Sequence, residues 1–294
     1  MRQGQNPLKE LEAPATIKPI VFLVVTHLPE RGDYHAERFE IVRTCLESMR
    51  RGARREHTFM VWDNGSGFAL RNYIQETFKP DVFIQSGNLG KAAARTLAVN
   101  MLPPGTIVCY SDDDMLYYDN WLNPQIELLN HFPNVAAVSG DPIRTMFRSG
   151  NANTIAWAEK NATVKRGQFI PREWEDDFAL SVGRDPQQHV QMTIRDFDTK
   201  ILYNGKEAYA QAHHAQFIGY QVKVSQAMYY DGKALHDEHP FDIEMDKLGL
   251  RLCTTNRFCR HMGNVLDEKL KQEIDELVEI DESIKINAHG VAAA

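Results

Sequence analysis

Residues 19–26, PIVFLVVT, form a nearly unbroken apolar run rich in β-branched side chains. A strand with one wet face alternates apolar and polar residues. A run that is apolar at almost every position suits a strand covered on both faces, as in a parallel sheet. The feature recurs: TFMVWD (58–63), DVFIQ (81–85), TIVCYSD (106–112) and NVAAVSG (134–140) read as further strands. Helical stretches stand between them. Phe39, Val42, Leu46 and Met49 fall at helical spacing, a second stretch runs from the turn NGSG to Phe78, LGKAAARTLAVNM is rich in good helix formers, and 121–131 is a fourth. Strands alternating with helices predict a doubly wound, mostly parallel α/β sheet. Such sheets bind ligands at the carboxyl ends of their strands. Thr26, Asp63 and the triplet Asp112, Asp113 and Asp114 all fall at predicted carboxyl ends.

The remainder is less regular. Residues 141–212 are polar, carry WEDDF (174–178), and show no clear period, which predicts an insertion. AQFIGYQVKV (215–224) reads as a strand, and FDIEMDKLGLRL (241–252) as a helix, a C-cap glycine at Gly249, and a strand. From Val265 the tail places Leu266, Leu270, Ile274, Leu277 and Val278 on one helical face, to pack on the body of the protein or on a second copy of the chain. His213, His214 and WEDDF carry no pattern of their own and are read as surface or substrate-side residues.

Composition narrows the function. A net charge of -7 over 294 residues argues against nucleic acid as the main partner. The one basic patch, RRGARR (50–55), is short and reads as a solvated helix end. No run approaches the roughly 20 apolar residues that span a bilayer, and the polar first residues do not read as a secretory signal. Cys45, Cys109, Cys253 and Cys259 are scattered without zinc-ligand spacing, so a reducing cytoplasm is the expected setting.

The acidic triplet is the strongest chemical signal. Two unit charges about 4 Å apart repel by roughly 4 kcal/mol at an effective dielectric near 20. The cluster therefore needs something positive on it, unless it is a solvated turn. Hard cations such as Mg²⁺ and Mn²⁺ bind through one or two carboxylates plus substrate phosphates. Gly90 permits close backbone approach to a ligand, and Lys91 at a helix start can meet a phosphate. Asp63 can accept from a ring N–H of uracil or guanine, or be a plain turn aspartate.

In order along the chain, VVTHLPE after the first strand, WDNGS (62–66), GNLGKAAARTLAVN (87–100) and SDDDM (111–115) resemble the inverting nucleotide-sugar glycosyltransferases of the GT-A fold, glycosyltransferase family two. The resemblance covers residues 18–140 and resumes at about 215–263. It implies a GT-A α/β fold: a polar extension (1–17), a nucleotide-sugar-binding half (18–140), an acceptor-binding and catalytic half (141–263), and a C-terminal amphipathic helix and tail (264–294). It implies that Thr26, Asp63, Gly90, Lys91, Ser111, Asp112 and Asp113 meet the donor. Asp114, Asp112 and His261, the last in FCRHMGN (258–264), are the implied ligands of a divalent metal, Mn²⁺ or Mg²⁺. The family's acidic pair before a helix-ending glycine aligns with Asp237 and Glu238 in reversed order, so either is the candidate base. His236, Asp237, Glu238 and His239 as a metal site, or as a solvated loop, are the competing readings.

The implied reaction moves a sugar from a nucleoside-diphosphate sugar to an acceptor hydroxyl of a glycan, lipid-linked or small molecule, with inversion. The alternatives are a retaining transferase on the same fold, a sugar-phosphate nucleotidyltransferase, and a nucleotide-sugar binding protein or hydrolase. The nucleotidyltransferase would want a Gly-rich, lysine-containing loop after the first strand, which THLPERGDYH (26–35) is not.

Overall fold

The computed structural model describes residues 19–30, 37–148, 150–228 and 238–278. Asp237 and His236 lie outside them, as do residues 1–17.

Four parallel strands form the first half of the sheet: β1 (Ile20–Thr26), β2 (Thr58–Asn64), β3 (Val82–Ser86) and β4 (Ile107–Ser111). They are linked by α1 (Arg38–Gly52), by α2 (Phe68–Asn72) with its π-helical continuation Tyr73–Phe78, and by α3 (Lys91–Asn100). After β5 (Met115–Tyr117) and α4 (Leu122–His131) the sheet continues with β6 (Val135–Ser139). Then come α5 (Ala152–Asn161), β7 (Thr163–Gly167), α6 (Arg172–Ser181), α7 (Pro186–Thr193), β8 (Asp198–Tyr203) and β9 (Lys206–Tyr209). The last elements with two described ends are β10 (Gln216–Tyr220), α8 (Gln221–Ala227), α9 (His239–Leu248), β11 (Leu250–Cys253) and β12 (Cys259–His261).

The ten-stranded sheet runs β3-β2-β1-β4-β10-β6-β11-β9-β8-β7, and β12 pairs with β5 in a separate ribbon. From β3 to β11 only β10 runs against its neighbours. This is the GT-A type of α/β sheet that the sequence implied. All seven residues of β1 are buried because its two faces feed two cores. Phe22 and Val24 pack towards Ile41, Leu46 and Trp121, while Val21 and Leu23 pack towards Ala94, Ala98 and Phe217. Successive strand residues point to opposite faces, so a run apolar throughout serves both.

The chain steps outward from β1 to β2 to β3, then returns to place β4 on the other side of β1. That reversal makes a topological switch between β1 and β4, where the loops after the two strands diverge and leave a crevice. Register brings its rim together: Thr26 sits opposite Asp63, and Val24 opposite Ser111.

Several expectations change. Residues 141–212 are built of α5–α7 and β7–β9, which extend the sheet. The strand expected over 215–224 stops at Tyr220, and Gln221–Ala227 is helical. Gly249 does end α9, but with φ 164° it is extended rather than left-handed. Its missing side chain matters for another reason, since a Cβ would lie 2.0 Å from the Asn134 carbonyl oxygen. WEDDF is not a surface motif. Glu175 and Asp177 are buried, Glu175 against His189 (2.8 Å) and Asp177 against Arg257 (2.7 Å). His213 is buried as well.

The helix over 268–278 packs on the body. Leu270 is in the core, and Leu266, Ile274 and Leu277 lie against it. The apolar face considered for a second copy is thus largely spent within the chain. All four cysteines are buried as free thiols. No helix among the described residues is long and apolar enough to cross a membrane.

Candidate functional site

The acidic triplet has its positive partners. Arg38, at the start of α1, is 7% exposed and forks across two of the carboxylates. Its Nη2 donates to Asp113 Oδ1 and its Nη1 to Asp114 Oδ2 (3.1 Å). Lys91 Nζ donates to Asp112 Oδ2 at 2.7 Å. The clustering predicted to cost several kcal/mol is offset by a guanidinium and an ammonium, one from each side of the sheet.

The three aspartates have different surroundings. Asp112 uses both oxygens, accepting from Lys91 and from the Tyr110 hydroxyl (2.7 Å). Its backbone N–H donates to the Ala215 carbonyl at 2.7 Å. Each of its carboxylate oxygens thus already accepts one hydrogen bond. Asp113 accepts from Arg38 and from the His27 backbone N–H (3.2 Å). Burial raises its pKa, Arg38 lowers it, and Asp114 raises it again, leaving it above the usual value. Asp114 Oδ1 is buried and has no partner.

His261 Nε2 lies 3.4 Å from Asp114 Oδ2 because β12 pairs antiparallel with β5, setting His261 opposite Met115. Its Nδ1 meets the Ser181 hydroxyl at 2.8 Å. Burial disfavours the Asp114 carboxylate, but His261 and Arg38 outweigh it and hold the carboxyl far below the usual range.

On the β2 side, Asp63 is fully buried. Its Oδ1 accepts from the Ser66 N–H (3.1 Å) and from Thr26 Oγ1 (3.5 Å), and its Oδ2 has no partner. Thr26 thus supports Asp63 from below. Asn64 and Asn88 pair through their side chains (3.2 Å), and Asn64 accepts from the Leu89 N–H (2.8 Å), shaping the loop ahead of Gly90. Gly90 has φ 81°, a left-handed conformation that favours glycine, and caps α3 so that Lys91 begins it. Ser111 turns away from this rim: it is fully buried and donates to the Asp112 carbonyl (2.6 Å) beside the Cys45 thiol.

Glu238, the N-cap residue of α9, closes the far side. It pairs with Lys91 (3.0 Å) and with buried Arg95 (2.9 Å). Burial pushes its pKa up, but Arg95 and Lys91 bring it down to about 2.

A cavity of about 390 Å³ opens among His27, Arg38, Asn64, Lys91 and Asp112–Asp114. A second, of about 690 Å³, is lined by Asp114, His261, Ser181, Leu180, Val182 and Val265, among others. Asp114 belongs to both. The structure therefore brings Lys91, Gly90, Asp112, Asp113 and Asp114 into one cavity and places His261 at its border with the next.

Arg38 and Arg95 were missed in the sequence. Arg38 sits in an ordinary charged helix start, HAERFE, and Arg95 in an alanine-rich helix, where an isolated arginine reads as surface. The only signal was indirect, that the triplet had to have a cation.

Residues 34–179 match the family described as Glycosyl transferase family 2. No curated protein matches the chain. Among solved structures, the crystal structure of GalNAc-T7 with UDP, GalNAc and Mn²⁺ is similar at 13% identity and a TM-score of 0.49, over 83% of this chain and 44% of that one. S. aureus TarS 1-349 is similar at 10% identity and a TM-score of 0.46, over 89% and 64%. The mannosyltransferase PcManGT from Pyrobaculum calidifontis, in complex with GDP-Man and Mn²⁺, is similar at 19% identity and a TM-score of 0.33, over 45% and 39%. The chain thus spans less than two thirds of the length of each.

Proposed function

Because the chain belongs to glycosyl transferase family 2, we propose that it transfers a sugar from a nucleoside-diphosphate sugar to an acceptor hydroxyl with inversion, using a divalent cation. The observation that carries the reading is the cavity at the sheet's switch point, where Lys91 stands at a glycine-led helix start and Asp114 Oδ1 is buried without a partner; Asp63 Oδ2, behind the cavity wall at the end of β2, is likewise buried and unpaired. A buried carboxylate oxygen without a donor is costly, and ligand atoms at those two points would remove the cost.

The assignments follow from the surroundings of each group. Asp63 accepts the ring N–H of the base. Lys91 meets the diphosphate, with the α3 N-terminus behind it. Asp112 holds Lys91 in place, and Asp113 holds Arg38. Asp114, through its unpaired Oδ1, and His261 beside the same carboxylate would hold a hard cation, of the kind that binds through few protein ligands together with substrate phosphates. Among the described residues no group of three or more His, Cys, Asp or Glu could hold a metal ion. When bound, the ion neutralises charge developing on the leaving diphosphate. The larger cavity beyond Asp114 takes the acceptor. Glu238 stands beside the diphosphate position, and with Asp237 it remains a candidate for the proton of the acceptor hydroxyl.

Calorimetric titration of the full chain with UDP and with GDP, each with and without Mn²⁺, tests the reading. Binding of one nucleotide, tightened by the metal and lost in Asp114→Asn, is expected. Binding of neither, or binding indifferent to metal and to Asp114→Asn, would overturn it.

A further inference from the structure

The larger cavity has a polar end and an apolar wall. Asp114 lines it and the smaller cavity alike, so the two meet at that carboxylate, with His261 beside it. The wall comes from two segments. The last turn of α6 supplies Leu180, the residue after that helix is Val182, and the loop after β12 supplies Val265. Both segments are tied to the site. Ser181, between the first two, meets His261 Nδ1 at 2.8 Å, and the Met262 N–H donates to the Asp114 carbonyl at 2.8 Å.

Leu180 is 51% exposed, Val182 43% and Val265 67%. Met262 and Leu270, both core residues, also line the cavity. Single apolar side chains on a surface need no explanation, but a group of them around one cavity marks a ligand site. Pockets for small molecules combine such a wall with a few polar groups that fix orientation. The charges at this cavity are also one-sided. Asp114 and Asp267 are carboxylates, and the one arginine, Arg260, is buried and pairs with Glu273 (2.6 Å). Among the described residues that line it there is no lysine. A phosphate group would meet two carboxylates there with no free arginine or lysine, while a neutral hydroxyl needs neither.

We propose that the acceptor is a neutral amphiphile: its hydroxyl reaches the Asp114 end, and an aliphatic segment of its carrier lies on Leu180, Val182 and Val265. The wall favours an apolar carrier over a free glycan, and the charges favour a neutral head over a phosphate. The proposal rests on the transferase reading above, which gives this cavity to the acceptor.

Calorimetric titration of the full chain decides it, with and without UDP or GDP and Mn²⁺. The probes are hexyl, heptyl and octyl glucoside below their micelle concentrations, glucose, and octyl phosphate. Affinity should rise about three- to fourfold per methylene along the alkyl series. Glucose should bind roughly 100-fold more weakly than octyl glucoside, and octyl phosphate roughly tenfold more weakly. Val265→Asn and Leu180→Asn should each weaken octyl glucoside by about fivefold, while Val265→Leu keeps its affinity. Both positions are open to solvent, so the variants should fold, and unchanged melting temperatures check this. No binding of octyl glucoside, or equal affinity for glucose, would overturn the aliphatic segment. Tighter binding of octyl phosphate would overturn the neutral class. An affinity untouched by both asparagine variants would put the alkyl group outside this cavity and overturn the assignment. Sedimentation with phosphatidylcholine vesicles, with and without dioleoylglycerol, separates a bilayer lipid from a free amphiphile as the source. If neither UDP nor GDP binds, the transferase reading fails, while the alkyl series still reports what the cavity takes.

Discussion

At Asp114 the two carboxylate oxygens face different chemistry. Oδ2 is held by Arg38 and faces His261, while Oδ1 is buried and unpaired. Asp114→Asn keeps the shape and an oxygen for Arg38, but removes the charge a cation needs. It should abolish transfer while the melting temperature moves by only a few degrees; a fully active, metal-indifferent variant would remove the metal from the reading. Asp63 presents the same asymmetry at the end of β2, with Oδ1 accepting from Ser66 and Oδ2 buried and unpaired. Loss of one hydrogen bond to a charged acceptor costs about 1.5–3 kcal/mol. Asp63→Ala should therefore weaken nucleoside diphosphate binding by roughly 10 to 100-fold, measured by calorimetry, and unchanged affinity would move the base elsewhere.

At the scale of elements, close approach and side-chain anchoring fix what periodicity does not. Gly249 lets β11 follow α9 past the Asn134 carbonyl, which accepts the Leu250 N–H at 3.0 Å. Gly249→Ala should destabilise by about 1–3 kcal/mol or more through forced overlap, read as a lower midpoint in urea at unchanged slope. The helix over 268–278 holds β12, and so His261, to the body: Glu273 pairs with Arg260 (2.6 Å) and Lys269 with Asp177 (2.6 Å). Its anchor is Leu270, 1% exposed. Leu270→Ala should cost about 2–5 kcal/mol. Lys269→Ala, which removes a pair with one partner 63% exposed, should cost under about 1 kcal/mol; equal effects in the same urea series would mean that charge, not burial, holds the helix. The π-helical turn after α2 and the helical Gln221–Ala227 were not legible in the sequence. QVKV alternates like a strand, but buried Gln221 donates to the Val99 carbonyl (3.2 Å) and closes α8 onto α3.

For the whole molecule, two carboxyls, half-buried Glu238 and buried Asp141, pull the pH dependence of stability in opposite directions. Glu238 has its pKa lowered from 4.5 to about 2, so its contribution is present above about pH 4.5 and lost as the pH falls towards 2. Burial raises Asp141 from 3.8 to about 6 against the pull of Arg257. Its contribution is present below about pH 3.8 and lost as the pH rises through 6. At 1.36 kcal/mol per pH unit this loss is of order 3 kcal/mol. Urea unfolding of the wild type against Asp141→Asn from pH 4 to 7 should show the difference between the two proteins shifting by that order in the variant's favour as pH rises. A difference independent of pH would mean that Asp141 stays ionised throughout.

The sequence by itself determined the parallel half of the sheet, from β1 to β4, and the placement of Thr26, Asp63 and the aspartate triplet at strand ends. Those are local properties: an apolar run and the turn after it carry their meaning within a few residues. It also demanded a cation for the triplet without naming one. Only the tertiary structure decided that Arg38 answers Asp113 across 75 residues and that Arg95 answers Glu238 across 143. It likewise decided that Asp112 pairs with Lys91 and Tyr110, that Ser111 faces the core, and that Glu175 and Asp177 of WEDDF are buried. Charge pairing depends on distance in space, and in this chain strand register, one helix turn and a two-stranded ribbon set those distances.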